Sequence, residues 1–229
     1  MSKRLVVAID GPAGAGKSTL ARRIADKLGI LYIDSGAMYR AIGLWALRSG
    51  ISLEDAQRLE QLAQQAHIEL LPEGGRVLLN GEDVTEAIRT PEVSEAASKA
   101  SAVPGVRRAM VEQQRRMARQ ASVVMEGRDI GTVVFPDADI KIYLDADPAE
   151  RARRRLAEAE ARGGRPDPLQ MQREIDERDA RDRSRSTAPL MQAPDAVYLD
   201  STGLSISEVE EKVLRIIRER TSNGKELQA

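Results

Sequence analysis

The chain contains no cysteine, which excludes disulfides, thiolate metal sites and thiol nucleophiles together. Its only histidine, His67, has no partner at metal-ligand spacing and opens a strand-like run, so it is expected to pack rather than to act as a base. Net charge of one sign is also missing. The formal charge is −1, so no global basic field points to nucleic acid and no acidic excess points to a solvating tail. Any anionic partner must be held by local clusters. Long hydrophobic runs are absent too: Leu5–Ile9, the longest near the start, is too short for a signal peptide or a membrane span. A soluble, cytoplasmic protein is the expectation.

What remains is ordinary globular material. The 229 residues suit one α/β domain with an insertion, and 41% apolar residues suffice for a buried core. Leu5–Ile9 is a β-branched run that ends at Asp10 and a glycine loop, the pattern of a buried parallel strand. Lys17–Leu28 has apolar residues at 20, 21, 24, 25 and 28 and stops at Gly29, which reads as an amphipathic helix with a glycine stop. Further short strands are expected at 31–33, 122–125, 140–144 and 197–199, separated by helical patterns over 104–119, 148–162, 169–183 and 206–219. Strands alternating with helices predict a parallel sheet covered on both faces. From His67 to Val84 the rhythm changes to two strand-like runs with turns at 72–75 and at Asn80-Gly81, an antiparallel hairpin flanked by helices over 53–66 and 92–100. Residues 60–100 read as an insertion. Residues 150–186 read as two helices joined through Gly163-Gly164, and the tail after Thr221 is polar.

The first motif with chemistry is Gly11-Pro12-Ala13-Gly14-Ala15-Gly16-Lys17-Ser18, followed by Thr19. It satisfies GxxxxGK[ST] between a predicted strand and a predicted helix, the context that the pattern requires. Its glycines let successive N–H groups face a phosphate, and the helix N-terminus adds positive potential. Lys17 is placed to neutralise β/γ-phosphate charge, and the Ser18 hydroxyl to bind Mg²⁺ together with waters. The only asparagines, Asn80 and Asn223, lie in no guanine-reading NKxD motif, so a GTPase is not indicated.

Three further clusters follow predicted strands or lie on predicted helices. Asp34-Ser35-Gly36-Ala37-Met38-Tyr39-Arg40 enters a helix that Ser35 is placed to cap, with Arg40 on its first turns. Tyr39 suits either a base or the core, and Trp45 suits the core. Glu126-Gly127-Arg128-Asp129 leaves a strand at the carboxyl edge of the sheet, where α/β ligands bind. From 151 to 185 there are eleven Arg and no Lys, against 28 Arg and 7 Lys in the whole chain. Arg178, Arg181 and Arg185 share one expected helical face, so their planar forks could converge on one phosphate. Each cluster alone also fits a solvated surface.

Taken in order, the phosphate loop, DSGAMYR (34–40), NGEDVTEAIRTPEV (80–93), GRDIGTVVFPDA (127–138), KIYLDA (141–146) and ERDARDRSR (177–185) resemble the bacterial cytidylate kinases over nearly the whole chain. The resemblance implies a P-loop nucleoside monophosphate kinase fold, with a five-stranded parallel sheet flanked by helices, an NMP-binding insertion and a helical LID. It divides the chain into a CORE of 1–59, 101–149 and 187–229, an insertion of 60–100 and a LID of 150–186. It implies ATP with Mg²⁺ as donor and CMP or dCMP as acceptor. It also places Ser35, Arg40, Ser98, Arg107, Arg128, Asp129, Arg178, Asp182 and Arg185 on the CMP side, with Lys17, Arg128, Arg178 and Arg185 at the transferring phosphate. A monomer with neither nucleic acid nor membrane as partner is expected. The alternatives are a P-loop kinase for another small acceptor and a non-catalytic ATP-binding regulatory module.

Overall fold

The structure is a computed structural model that describes residues 4–71, 75–119, 121–161 and 163–226, the last five as backbone only. Pro72, Glu73 and Gly74 of the expected hairpin turn, and Arg162, lie outside the described residues. The chain divides into two compact units, one of Met1–Tyr32, Ala121–Ser184 and Ala188–Ala229, the other of Ile33–Gln120 and Arg185–Thr187.

The first unit is built on β1 (Val6–Asp10), the apolar run before the glycine loop. β1 is the middle strand of a five-stranded parallel sheet that also contains β2 (Leu31–Asp34), β6 (Val123–Gly127), β7 (Ile140–Asp145) and β8 (Val197–Asp200). The spatial order is β2-β6-β1-β7-β8. Its register sets Ile9 against Glu126 and Asp10 against Gly127 on one side, and Asp10 against Tyr143 on the other. α1 (Lys17–Leu28) and α8 (Ile206–Glu226) bury their apolar stripes here. Leu20, Ile24, Val209, Val213 and Ile217 pack with Val7, Ile9, Val124, Ile140, Ile142 and Leu144, which the parallel register places on one face of the sheet. Gly29 ends α1 at φ 64°, and its N–H bonds to Ala25 O, a left-handed cap that a Cβ would disfavour. α6 (Pro148–Ala161) and α7 (Pro168–Ser184) complete the unit. Among the described residues no helix is long and apolar enough to cross a membrane.

In the second unit, α2 (Ser35–Arg48), α3 (Ala56–Gln65), α4 (Pro91–Ala100) and α5 (Pro104–Met117) share a core with a three-stranded antiparallel sheet of β3 (Ile68–Leu71), β4 (Arg76–Leu79) and β5 (Glu82–Asp83). The core is Met38, Ile42, Leu59, Leu62, Val77, Leu79, Ile88, Val93, Val106 and Met110, with Trp45 packed against it. The hairpin therefore carries a third strand. Asn80 at φ 52° and Gly81 at φ 84° form the two-residue turn between β4 and β5, since both central residues of a primed turn need positive φ. Asn80 also uses its Oδ1 and backbone N–H to bond the backbone of His67.

Two local expectations are corrected. Asp34, not Ser35, caps α2: its carboxylate accepts the Ala37 N–H at 2.8 Å, and Ser35 is the first helical residue. An ionised carboxylate at a helix N-terminus gains from the dipole as well as from the bond. His67 is not a packing residue. Its side chain is 75% exposed and lies 3.6 Å from Glu69, because the hairpin alternation turns it outward while Ile68 is buried.

α2 and α4 approach through Gly43, where a Cβ would stand 2.7 Å from Ala97 N and 3.2 Å from Ala96 Cβ. Gly43→Ala should force the helices apart at a cost of about 1–3 kcal/mol, measured as a lower urea midpoint. An unchanged midpoint would mean that the pair can separate without loss.

Candidate active site

The carboxyl ends of β1, β6 and β7 supply the first set of groups. Gly11 follows β1 with its α-carbon so close to β7 that a Cβ would lie 1.9 Å from Leu144 O. Gly14 at φ 76° and Gly16 at φ 92° hold the left-handed angles that curl the loop, and Gly16 caps α1. Lys17 is buried within this curl and donates from Nζ to Pro12 O at 2.6 Å. Burial first, and then the Arg128 charge, lower its pKa to about 7, against the partial support of Glu126. Ser18 Oγ donates to Glu126 Oε1 at 2.7 Å. A hydroxyl and a carboxylate adjoining the phosphate loop suit Mg²⁺, which takes few protein ligands beside water and phosphate oxygen. Among the described residues no cluster of three His, Cys, Asp or Glu offers a closed metal cage.

Beyond β6, the buried Asp10 carboxylate accepts N–H bonds from Ile130 at 2.8 Å and Gly131 at 2.7 Å. Desolvation raises its pKa to about 7, against the effect of these two bonds. Asp10 thereby anchors the π-helical turn Ile130–Val134 and the segment that leads into it, Arg128-Asp129. Arg128 donates from Nε to Asp182 Oδ2 at 2.8 Å, and Asp129 is buried. On α7 the buried polar positions are Asp179 and Asp182, with Ile175. Arg178 is half-buried and is one of the charges that depress Lys17. Arg185 lies beyond the last residue of α7 and belongs to the other unit. The expected shared face is therefore limited to Arg178 and Arg181, because the helix ends before a second full turn.

The second unit gathers its own set. Arg40 folds back over the first turn of α2 and pairs with Asp34 Oδ2 at 3.0 Å; Ser35 is buried beneath. The Arg107 guanidinium is buried, stands 5.3 Å from the centre of the Tyr39 ring, and donates to Ser101 O at 3.3 Å. Arg185 Nη1 donates to Ser101 Oγ at 3.4 Å, and Ser101 Oγ donates to Ser98 O at 2.8 Å. Ser98, Arg107 and Arg185 are thus joined through one serine. Ser98 Oγ is buried without a hydrogen-bond partner, the condition of a hydroxyl that serves a ligand.

With this geometry in place, the comparisons with known proteins decide the family. The family model for cytidylate kinase matches residues 7–219. A cytidylate kinase of Solibacter usitatus is 62% identical over 227 residues, covering 98% of this chain and 97% of that protein. One of Symbiobacterium thermophilum is 51% identical, covering 95% and 97%. The chain belongs to the cytidylate kinase family. An uncharacterized protein of Eubacterium ventriosum of known structure shares the fold at a TM-score of 0.53 and 12% identity, over 94% of this chain and 99% of that one.

Several residues gathered at the candidate site have no motif of their own in the sequence. Glu126 and Asp10 were visible as acids at strand ends, and an acid that ends a buried strand beside a phosphate loop is a usable signal. Ser101, Arg151 and Asp179 carry no such mark, since their roles depend on elements far away in the chain.

Lys17 gives the chain a measurable proton linkage. Its pKa of about 7 leaves the ammonium largely deprotonated at pH 8, and bound phosphate raises the pKa by favouring the charged form. ATP binding should therefore take up about one proton at pH 8, and affinity should fall as pH rises through 7. Calorimetric titration in buffers of different ionisation enthalpy checks this. Lys17→Met should abolish the uptake.

Proposed function

We infer that the chain transfers the γ-phosphoryl group of Mg²⁺-bound ATP to a phosphate oxygen of CMP, giving ADP and CDP, and that it also accepts dCMP. Membership of the cytidylate kinase family over residues 7–219 carries the choice of acceptor, and the phosphate loop supports the choice of donor. The nucleophile is a phosphate oxygen already ionised at neutral pH, so no general base is required. Catalysis then consists of positioning and charge neutralisation.

In this reading the loop from Gly11 to Thr19 cradles the donor phosphates and Lys17 offsets the charge that moves during transfer. Ser18, with waters ordered by Glu126, would hold the Mg²⁺, which supplies further neutralisation of the phosphate oxygens. Arg40, Arg128, Arg178 and Arg185 serve the acceptor phosphate. Their forks match phosphate oxygens bidentately. Asp182 keeps the Arg128 fork oriented through its 2.8 Å bond. Ser35, Ser98 and Arg107 hold the remainder of CMP, and the unpartnered Ser98 hydroxyl supports that role. Residues 150–186 act as the LID that excludes water, and 60–100 as the NMP-side insertion on the remaining CORE. The same reading takes the chain as a cytoplasmic monomer that needs neither nucleic acid nor membrane.

Asp129 is proposed to read the base. An ionised carboxylate only accepts hydrogen bonds, so it pairs with the amino group of cytosine and repels the corresponding oxygen of uracil. A coupled assay with ATP and each nucleoside monophosphate in turn tests the function. CMP should give the highest kcat/KM, while ADP release independent of any acceptor would refute the reading. Asp129→Ala should lower kcat/KM for CMP roughly ten- to a hundredfold and change that for UMP far less. A constant CMP/UMP ratio would show that another residue reads the base.

A further inference from the structure

The arginine-rich helices α6 and α7 are expected from composition to be solvated, yet their roots are buried in the donor loop. Arg151, on the first turn of α6, is 4% exposed and Asp179, on α7, is 1% exposed. Arg151 Nη1 donates to Asp179 Oδ2 at 2.5 Å and to Ala13 O at 2.9 Å, and its Nε donates to Ala146 O at 3.1 Å. Asp179 Oδ1 accepts the Ala13 N–H at 3.0 Å. Asp145, at the end of β7, lies 3.9 Å from Arg151 Nε. Ala13 packs with Ala152 and Ile175, with Met171 beside them. At Gly14 a Cβ would stand 2.8 Å from Arg151 O and 3.1 Å from Arg151 Cβ.

Both backbone polar groups of Ala13, in the middle of the phosphate loop, are therefore held by one buried ion pair that spans the two helices. A loop amide held in this way does not turn toward a phosphate. Its neighbours on either side, which do curl, have their path set by this fixed point.

We propose that the Arg151–Asp179 pair is a positioning device that fixes the shape of the phosphate loop through Ala13 and couples that loop to α6 and α7, so that donor affinity depends on the pair and acceptor affinity does not. The proposal deepens the kinase reading above and rests on its assignment of the loop to ATP. Its physical basis is that backbone N–H groups bind phosphate well only when they are already aimed at it, and misplacement of a binding loop is costly even far from the chemistry.

A buried ion pair is strongly destabilising to break on one side, because the remaining charge stays desolvated, whereas an apolar pair of similar volume is tolerated. The test therefore uses the double variant Arg151→Met/Asp179→Leu, with the isosteric Asp179→Asn as second variant. Thermal melting reports the fold, calorimetric titration reports the Kd of MgATP without acceptor, and steady-state kinetics report KM for CMP. The double variant is expected to melt close to the wild type while its Kd for MgATP rises about tenfold or more, with KM for CMP unchanged within about twofold. Asp179→Asn, which keeps an acceptor for the Ala13 N–H, should weaken MgATP binding by a smaller factor. A wild-type Kd in either folded variant, or a KM for CMP that rises in proportion to it, overturns the proposal. The binding measurement needs no acceptor. A wild-type protein that fails to phosphorylate CMP, alongside variants that lose MgATP affinity, would sink the acceptor reading and leave this one standing.

Discussion

The parallel register of β1 between β6 and β7 is the constraint on which the donor end depends. Setting Asp10 level with Gly127 and Tyr143 brings three strand ends to one edge of the sheet, in the crevice position where open α/β sheets bind ligands. A shift of one residue would turn Glu126 from one face of the sheet to the other, away from Ser18, and would take Asp10 from the Ile130 and Gly131 amides. The apolar faces of α1 and α8 secure the register, since any slip would expose Val7, Ile9 and Val124. Hydrophobic burial that has no chemistry of its own thus determines where the chemistry can be.

Around that edge the first unit buries Asp10, Lys17, Glu126, Asp129, Arg151, Asp179 and Asp182. Buried charges are expensive unless paired and hydrogen-bonded. Arg128 meets Asp182, Arg151 meets Asp179, and Asp10 is satisfied by two backbone amides. Lys17 donates to the Pro12 carbonyl. Burial first, and then Arg128 and Arg178, lower its pKa against the partial support of Glu126 and Asp179. A site arranged in this way favours the arrival of phosphate, because phosphate supplies the negative charge that the cations lack.

The second unit uses a different device. Its arginines are oriented by short-range polar anchors: Asp34 for Arg40, and Ser101 for Arg107 and Arg185. The Tyr39 ring lies under Arg107 and packs against the core. Arg185 joins this unit although it follows α7 directly. A helical-face argument could not foresee that, because it holds only while the helix continues.

The sequence by itself determined the strand–loop–helix of the phosphate loop, the alternation that gives a parallel sheet and the hairpin at Asn80-Gly81. These are local signals, carried by hydrophobic period, glycine conformations and turn chemistry within a few residues. Even so, local reading misjudged Ser35 against Asp34, because two polar residues side by side both suit a cap and only backbone angles choose. It misjudged His67 as well, since strand alternation does not say which face is wet. Only the tertiary structure decided which charges face one another. Asp10 reaches Ile130 across 120 residues, Ser18 reaches Glu126 across 108, and Ala13 reaches Asp179 across 166. Such pairings follow from the packing of whole elements, and no pattern within one element encodes them.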